Sequence, residues 1–134
     1  MRKLTMIATG AAALAGCTQA PPVPEGVQAN QRLQALLAGK VAQPPRDCIP
    51  ATQAGSPSIV TPDAVAFTVN PGLVYVSSVT GSGCEDASNQ TYTLVTRSNG
   101  PGLCSGDRLE IHDPHTRVLV GACTLSQFTP YAMR

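Results

Sequence analysis

The cysteines constrain the fold of this 134-residue chain more than any other feature. One of the five follows an apolar N-terminal stretch, and the other four are spread along the rest: Cys48, Cys84, Cys104 and Cys123. None of them forms the close CxxC pair that zinc sites and redox centres usually contain. With two phenylalanines, three tyrosines and no tryptophan, few large side chains are available to fill a core. An even number of cysteines in so small a domain therefore predicts two disulfides.

Four cysteines allow three pairings, and the sequence favours one of them without excluding the others. A hairpin that turns at residues 113–114 places Cys104 opposite Cys123, which predicts Cys104–Cys123 together with Cys48–Cys84. A shift of one or two residues in that turn favours Cys48–Cys123 with Cys84–Cys104 instead.

Composition and charge exclude several classes of protein. An apolar content of 43% is too high for a disordered chain, and 12 glycines with 12 prolines are too few for a collagen. The length allows one small domain. A net charge of +1 with 13% charged residues gives no electrostatic reason to expect binding to nucleic acid or to a membrane through a basic surface.

Residues 1–16 have the pattern of a secretion signal peptide. A basic start is followed by an apolar run from Leu4 to Leu14, which is shorter than the roughly 20 residues of a membrane-spanning helix. The run ends in Leu14-Ala15-Gly16-Cys17, which resembles the lipobox of bacterial lipoproteins.

This resemblance implies a diacylglyceryl thioether and an N-acyl chain such as palmitate on Cys17. Several buried acyl chains are enough for stable membrane anchoring. Thr18, rather than Asp, follows the cysteine, and in the enterobacterial sorting rule this implies transfer to the outer membrane, facing the periplasm. The alternative is an ordinary cleaved signal that leaves Cys17 as a free thiol.

The mature chain divides into three parts by its residue pattern. Residues 17–26 are the lipidated cysteine and a Pro-rich tether, and residues 27–40 contain a short helix over 27–38 that Gly39 ends. We expect this helix to dock on the domain rather than to act as a spacer. Residues 46–134 form the disulfide-linked domain.

In that domain, short β-branched runs alternate with turn residues, which is typical of strands. The predicted strands are 58–61, 64–69, 73–79, 91–97, 108–112 and 116–122. The fold class predicted is mainly β: a small antiparallel barrel or roll with one short N-terminal helix and two disulfides.

The cluster of side chains most able to bind a metal is His112-Asp113-Pro114-His115. Two histidines and a carboxylate are metal ligands, but Asp-Pro is also turn chemistry, and the polar tip of a hairpin is usually solvated. The turn is the stronger interpretation, so we predict no metal and no cofactor.

Catalytic signatures are weak. There is no G-x-S-x-G motif for a serine hydrolase, and Gly81-Ser82-Gly83 lacks the lysine of a phosphate-binding loop. Asp107 and Glu110 could act as acid and base only if buried, and the side chain of Asp107 is expected to stabilise a turn by bonding to the backbone. Ser77, Ser78, Ser82 and Ser105 have no partner in the sequence that indicates a triad. We therefore predict that the protein is not an enzyme.

Near the C-terminus, Phe128 and Tyr131 are expected to close the core, and the alternative is an exposed aromatic patch that binds a partner.

The segments 103–107, 121–125 and 128–131 (Leu-Cys-Ser-Gly-Asp, Gly-Ala-Cys-Thr-Leu and Phe-Thr-Pro-Tyr) together resemble a family of small exported bacterial proteins of unknown function. Cys48-Ile49 and Cys84 match that pattern too, although Pro50 departs from it. The resemblance implies export and a four-cysteine framework, and it supplies no catalytic residue.

These observations favour a non-enzymatic lipoprotein that is anchored in the cell envelope and either binds an envelope protein or has a structural role there. The alternatives are a module that binds a small ligand or metal, an inhibitor of a secreted hydrolase, and an enzyme. No nucleic-acid partner is expected.

Replacing Cys17 with alanine removes the site of acylation. We expect the Cys17→Ala protein to leave the detergent-dependent membrane fraction and become soluble, because no acyl chain then holds it. Fractionation of cells followed by immunodetection measures this. A variant that stays in the membrane fraction would contradict lipid anchoring.

Overall fold

The structure is a computed structural model that describes residues 25–54, 56–81, 83–84 and 91–134. It contains one helix, α1 (Glu25–Leu37), and a single 3-10 turn at Ala51–Gln53. Its strands are β1 (Lys40–Ala42), β2 (Cys48–Pro50), β3 (Ser56–Thr61), β4 (Ala64–Asn70), β5 (Leu73–Thr80), β6 (Thr93–Arg97), β7 (Gly102–Cys104), β8 (Arg108–His112) and β9 (Leu119–Met133).

The strands form an antiparallel sheet in the order β3-β4-β5-β9-β8-β6, which curls into a nearly closed barrel. β1 adds to the same sheet by pairing with the end of β9, and β2 and β7 form a separate two-stranded ribbon. The predicted fold class, a small antiparallel barrel with one helix and two disulfides, is confirmed.

Strand β9 joins the two halves of the sheet. Its first part pairs with β8, where Leu109 lies opposite Cys123. Its second part pairs with β5 on one side, where Ser77 lies opposite Phe128, and with β1 on the other side. The sequence pattern predicted a strand only over 116–122, so the prediction missed most of this central element.

Pro130 explains why the sequence pattern did not predict the full length of β9, because a proline inside a central strand normally removes a ladder hydrogen bond. The carbonyl of Pro130 accepts a hydrogen bond from the Gln43 N–H at 2.8 Å. In a strand, the N–H and C=O of one residue point to the same side. The nitrogen of Pro130, which carries no hydrogen, therefore faces the side of β1, at a point just past the end of that strand. The hydrogen bonds between β9 and β5 are not affected.

The core fills the inside of the barrel. Phe67 and Phe128 are fully buried and meet edge to face, with ring centroids 5.7 Å apart. Around them pack the buried aliphatic residues Ile49, Val65, Leu103, Leu109, Ile111 and Leu125. Phe128 therefore closes the core, as predicted, whereas Tyr131 is half-buried in the sheet.

The helix docks on the outside of the sheet, as expected. Leu33, Leu36 and Leu37 pack against a second small cluster around Ala66 and Val74. Gly39 has φ +75°, the left-handed conformation that commonly ends a helix. The Lys40 side chain then donates a hydrogen bond to the Leu36 carbonyl at 2.8 Å. The main sheet begins directly afterwards, at β1, so the β domain starts earlier than the predicted residue 46.

The cysteines form two disulfides, Cys48–Cys104 and Cys84–Cys123. Both predicted pairings, the one with Cys104–Cys123 and the one with Cys48–Cys123, are wrong. The hairpin turn covers residues 113–118 rather than two residues, so Cys123 lies opposite Leu109. Cys104 belongs to β7 instead, where it lies directly opposite Cys48.

The local strands follow the sequence pattern more closely. Strand 108–112 is confirmed, and strands 64–69 and 73–79 are each one residue longer than predicted. β3 begins two residues before the predicted 58, and β6 begins two residues after the predicted 91. β1, β2 and β7 were not predicted, because three-residue strands carry no detectable alternation.

Replacing Phe128 with alanine tests the aromatic core. We expect it to lower the free energy of unfolding by about 3–5 kcal/mol, because a fully buried ring is lost and a cavity remains. The matched control is Thr68→Ala, an exposed residue of β4, which should change it by less than about 0.5 kcal/mol. Urea denaturation with both disulfides intact measures the difference, and equal effects from the two variants would contradict the described core.

Candidate functional site

The connection between β8 and β9 is a hairpin end formed by residues 112–120. Its turn is organised by Asp113, whose carboxylate accepts hydrogen bonds from the backbone N–H groups of His115 and Thr116 at 2.8 and 2.9 Å. The Asp113 backbone also bonds to the Val118 carbonyl and to the Arg117 N–H, each at 2.9 Å. Asp-Pro therefore makes a turn, as the sequence indicated.

The hairpin end exposes three consecutive apolar side chains, which we name the apolar strip: Val118, Leu119 and Val120. They are 58%, 46% and 53% exposed. The register of β8 and β9 shifts at this point, so that Ile111 lies opposite Gly121 and His112 opposite Leu119. This bulge leaves Val120 without a partner and breaks the alternation that would turn every second side chain inward.

Next to the strip, the outer face of β8 carries a group of charged residues around Glu110. The Glu110 carboxylate accepts hydrogen bonds from His112 Nε2 at 3.0 Å and from Arg97 Nε on β6 at 3.1 Å. Arg108 Nε lies 3.9 Å away on the same strand. Glu110 and His112 are largely covered, whereas the two arginines are exposed. The contact between Glu110 and His112 therefore lies at the base of the cluster.

Two carboxyl groups of this region have a lowered pKa. The hydrogen bond from His112, followed by that from Arg97, lowers the pKa of Glu110 below its ordinary value of 4.5. The backbone N–H groups of Thr116 and His115 lower the pKa of Asp113. Both carboxylates are therefore held in their charged form.

The ring of His112 has an acceptor at each nitrogen. Nε2 faces the Glu110 carboxylate, and Nδ1 lies 3.3 Å from the Arg117 carbonyl oxygen. The ring thus fastens the turn to β8, and no described serine or cysteine is bonded to it as a triad nucleophile would be.

Asp107 and Ser77, which the sequence analysis named as candidates for chemistry, make hydrogen bonds that stabilise the fold. The Asp107 carboxylate accepts a hydrogen bond from the Cys104 N–H at 2.7 Å, which is the turn-stabilising role predicted for it. The buried hydroxyl of Ser77 bonds to the backbone of Ser126 at 3.0 Å. Within the described residues, no group of three or more His, Cys, Asp or Glu side chains could hold a metal ion.

Cys17, the predicted acylation site, and Ser82 lie outside the described residues, as do the signal peptide and most of the tether. No helix in the described part of the chain is long and apolar enough to cross a membrane.

Sequence reasoning missed the apolar strip and Arg97. The run Val118-Leu119-Val120 falls within the predicted strand 116–122. Three consecutive apolar residues beside a turn nevertheless indicate that inward and outward side chains do not alternate there. Arg97 gave no signal, because only the register between β6 and β8 brings it to Glu110.

The described residues also form grooves, of which one lies beside the hairpin end and another lies elsewhere, at the β2–β7 ribbon. The first, of about 390 Å³, is lined by Thr93, Val95, His112, Asp113, Pro114 and Arg117. The second, of about 680 Å³, lies next to the Cys48–Cys104 disulfide.

Comparisons of this chain with protein-family models, with curated proteins and with solved structures gave no match.

The lowered pKa of Glu110 predicts an acid-dependent part of the stability. A carboxyl whose pKa is depressed by folding stabilises the folded state fully above its unfolded value and loses this contribution as the pH falls through the folded value. We therefore expect the stability advantage of the wild type over Glu110→Gln to shrink as the pH is lowered from about 5 to about 3, below the range in which histidine titrates.

Urea denaturation at a series of pH values measures this difference, and Asp113, present in both proteins, cancels from it. An advantage that stays constant across this pH range would show that the ion pairs of Glu110 are not formed in solution.

Proposed function

We propose that this protein is a lipoprotein of the bacterial cell envelope, acylated on Cys17, whose β domain binds an envelope protein through the apolar strip. The anchor places it on the periplasmic face of the outer membrane, and its role is interaction rather than catalysis. The observation that carries the proposal is the exposure of Val118, Leu119 and Val120 at the end of a fixed hairpin.

The exposure itself argues for a partner. Single exposed apolar residues are common on soluble proteins, but contiguous exposed apolar surface usually marks an interaction site. Three consecutive residues, each about half exposed, form such a surface, whereas the nearby inward positions Leu109 and Ile111 are completely buried. Within the described part of the chain, the strip is therefore surface that no other element covers.

The rigidity of the hairpin end also favours binding. The Asp113 carboxylate holds two backbone N–H groups, and the His112 ring lies against both Glu110 and the Arg117 carbonyl. A loop that is already held in one conformation loses little entropy when it binds, so more of the contact energy appears as affinity.

The surroundings of the strip suggest the chemistry of the partner. Protein interfaces commonly combine an apolar centre with a polar rim in which arginine is enriched. The exposed side chain of Arg117 adjoins Val118, and His115 and Thr116 are also exposed. We expect the partner to offer an apolar cleft bordered by acidic side chains.

The short link to the acylated cysteine sets where the partner is found. A chain spans at most about 3.6 Å per residue, so the segment between Cys17 and the start of α1 at Glu25 allows the helix to begin no more than about 30 Å from the lipid. The partner is therefore a protein at or near the membrane surface.

A second candidate function is binding of a small ligand. The groove of about 390 Å³ beside His112 has the size of a small-molecule site and combines apolar walls with Arg117 and Asp113. Native mass spectrometry of the purified protein, with and without added small metabolites and zinc, tests this alternative. A rigid hairpin would also suit an inhibitor of a secreted hydrolase. The photo-crosslinking described next would capture a hydrolase in the same way as any other protein partner.

Photo-crosslinking in living cells tests the main proposal. A photoreactive amino acid at position 118 or 120 of the acylated protein should capture one dominant envelope protein. The same amino acid at Thr124, an exposed residue farther along β9, is the matched control and should not capture it. In the Cys17→Ala background the capture should fall, because the domain is no longer held at the membrane.

The double substitution of Val118 and Val120 by aspartate should weaken affinity for the captured protein by about tenfold or more, as expected when central apolar contacts are removed. Equal capture at positions 118 and 124, or no effect of the double substitution, would contradict binding through the apolar strip.

A further inference from the structure

The two disulfides lie in contrasting surroundings. Cys84 and Cys123 are 0% and 4% exposed and belong to the main core. Cys48 is exposed and Cys104 is half-buried, and they join β2 and β7, which lie outside the barrel sheet. An attacking thiolate can therefore reach one bridge from solvent, whereas the other requires the core to open.

The exposed bridge also has room beside it. The groove of about 680 Å³ is lined by both Cys48 and Cys104, with walls from Pro50, Ala51, Thr52 and Pro101. None of the described residues that line it carries a charge. A negatively charged thiolate is consequently not repelled from the groove by a lining carboxylate.

The segment around Cys48 is held in place independently of the disulfide. Ile49 is buried in the core, and Arg46 and Phe128 exchange two backbone hydrogen bonds of 2.8 Å. The Ser105 N–H also donates to the Asp47 carbonyl at 2.6 Å. None of these contacts involves the sulfur–sulfur bond, so we expect the fold to survive its opening.

We propose that Cys48–Cys104 is a reversible thiol–disulfide exchange site, opened and closed by a protein dithiol while Cys84–Cys123 stays oxidised. A thiolate of the dithiol attacks the sulfur of the more exposed cysteine, Cys48. The Cys48–Cys104 bond breaks, Cys104 Sγ leaves as a thiolate that takes a proton, and a mixed disulfide forms at Cys48.

The second thiol of the dithiol, as its thiolate, then attacks the other sulfur of the dithiol, which is bonded to Cys48 Sγ in the mixed disulfide. Cys48 Sγ is released and takes a proton, and the dithiol becomes a disulfide. Two electrons and two protons pass from the dithiol to the two cysteines, and the reverse reaction closes the bridge again.

The test uses the folded protein with both disulfides formed and dithiothreitol as the dithiol. Samples are taken over time, free thiols are blocked with an alkylating reagent, and peptides are identified by mass spectrometry. We expect Cys48 and Cys104 to be labelled at least about tenfold faster than Cys84 and Cys123, because only the second pair requires an opening of the core.

Low urea concentrations separate local from global reactions. The reduction rate of Cys48–Cys104 should be unchanged by urea below the unfolding transition, while that of Cys84–Cys123 should rise. Circular dichroism after selective reduction should retain the β-sheet signal. The Cys48→Ser/Cys104→Ser protein is the control and should fold with its remaining bridge unreactive.

Reduction of both bridges at one common rate, earlier reduction of Cys84–Cys123, or loss of the sheet signal together with the first bridge would each overturn the proposal. Glutathione, a monothiol, serves as a second arm. Glutathione should open the bridge but accumulate as a mixed disulfide on Cys48; if it instead frees Cys48 and Cys104 together as rapidly as dithiothreitol at equal thiolate concentration, a dithiol is not specifically required and that part of the proposal is wrong.

Discussion

The pairing register of strand β9 is the constraint on which the rest of the structure depends. One continuous strand from Leu119 to Met133 bonds to β8, β5 and β1, so it fixes how the two halves of the barrel meet. The same register sets Cys123 opposite Leu109, which prevents it from reaching Cys104 through the hairpin. The bulge at the start of β9 then leaves the apolar strip outside the core. The position of Cys123 and the exposure of the apolar strip therefore have one common cause, the register between β8 and β9.

Local pattern was sufficient to predict the strands that end at strong turn signals. β4 and β5 meet at the turn Asn70-Pro71-Gly72, and β8 ends before Asp113-Pro114. These turn residues and the β-branched runs beside them located the three strands to within one residue. The docked helix was also predictable, because its leucines repeat at helical spacing. In each case the information lies within a few neighbouring residues.

The remaining features depend on contacts between distant parts of the chain. Pro130 discourages a strand prediction, and only the end of β1 shows why it is tolerated. The pairing of Cys48 with Cys104 requires the ribbon of β2 and β7, two strands too short to show alternation. The contact between Arg97 and Glu110, and the exposure of Val118, require the β6–β8 register and the bulge. Long-range pairing is the property that single-sequence patterns do not encode.

The most direct test of this account is non-reducing peptide mapping of the exported protein. Digestion without reduction, followed by mass spectrometry, identifies which cysteine-containing peptides are joined. The β2–β7 ribbon predicts one linked pair that contains Cys48 and Cys104, and the register of β9, which keeps Cys123 away from Cys104, predicts another that contains Cys84 and Cys123. A peptide pair joining Cys104 to Cys123 would contradict that register, and with it the exposed position of the apolar strip.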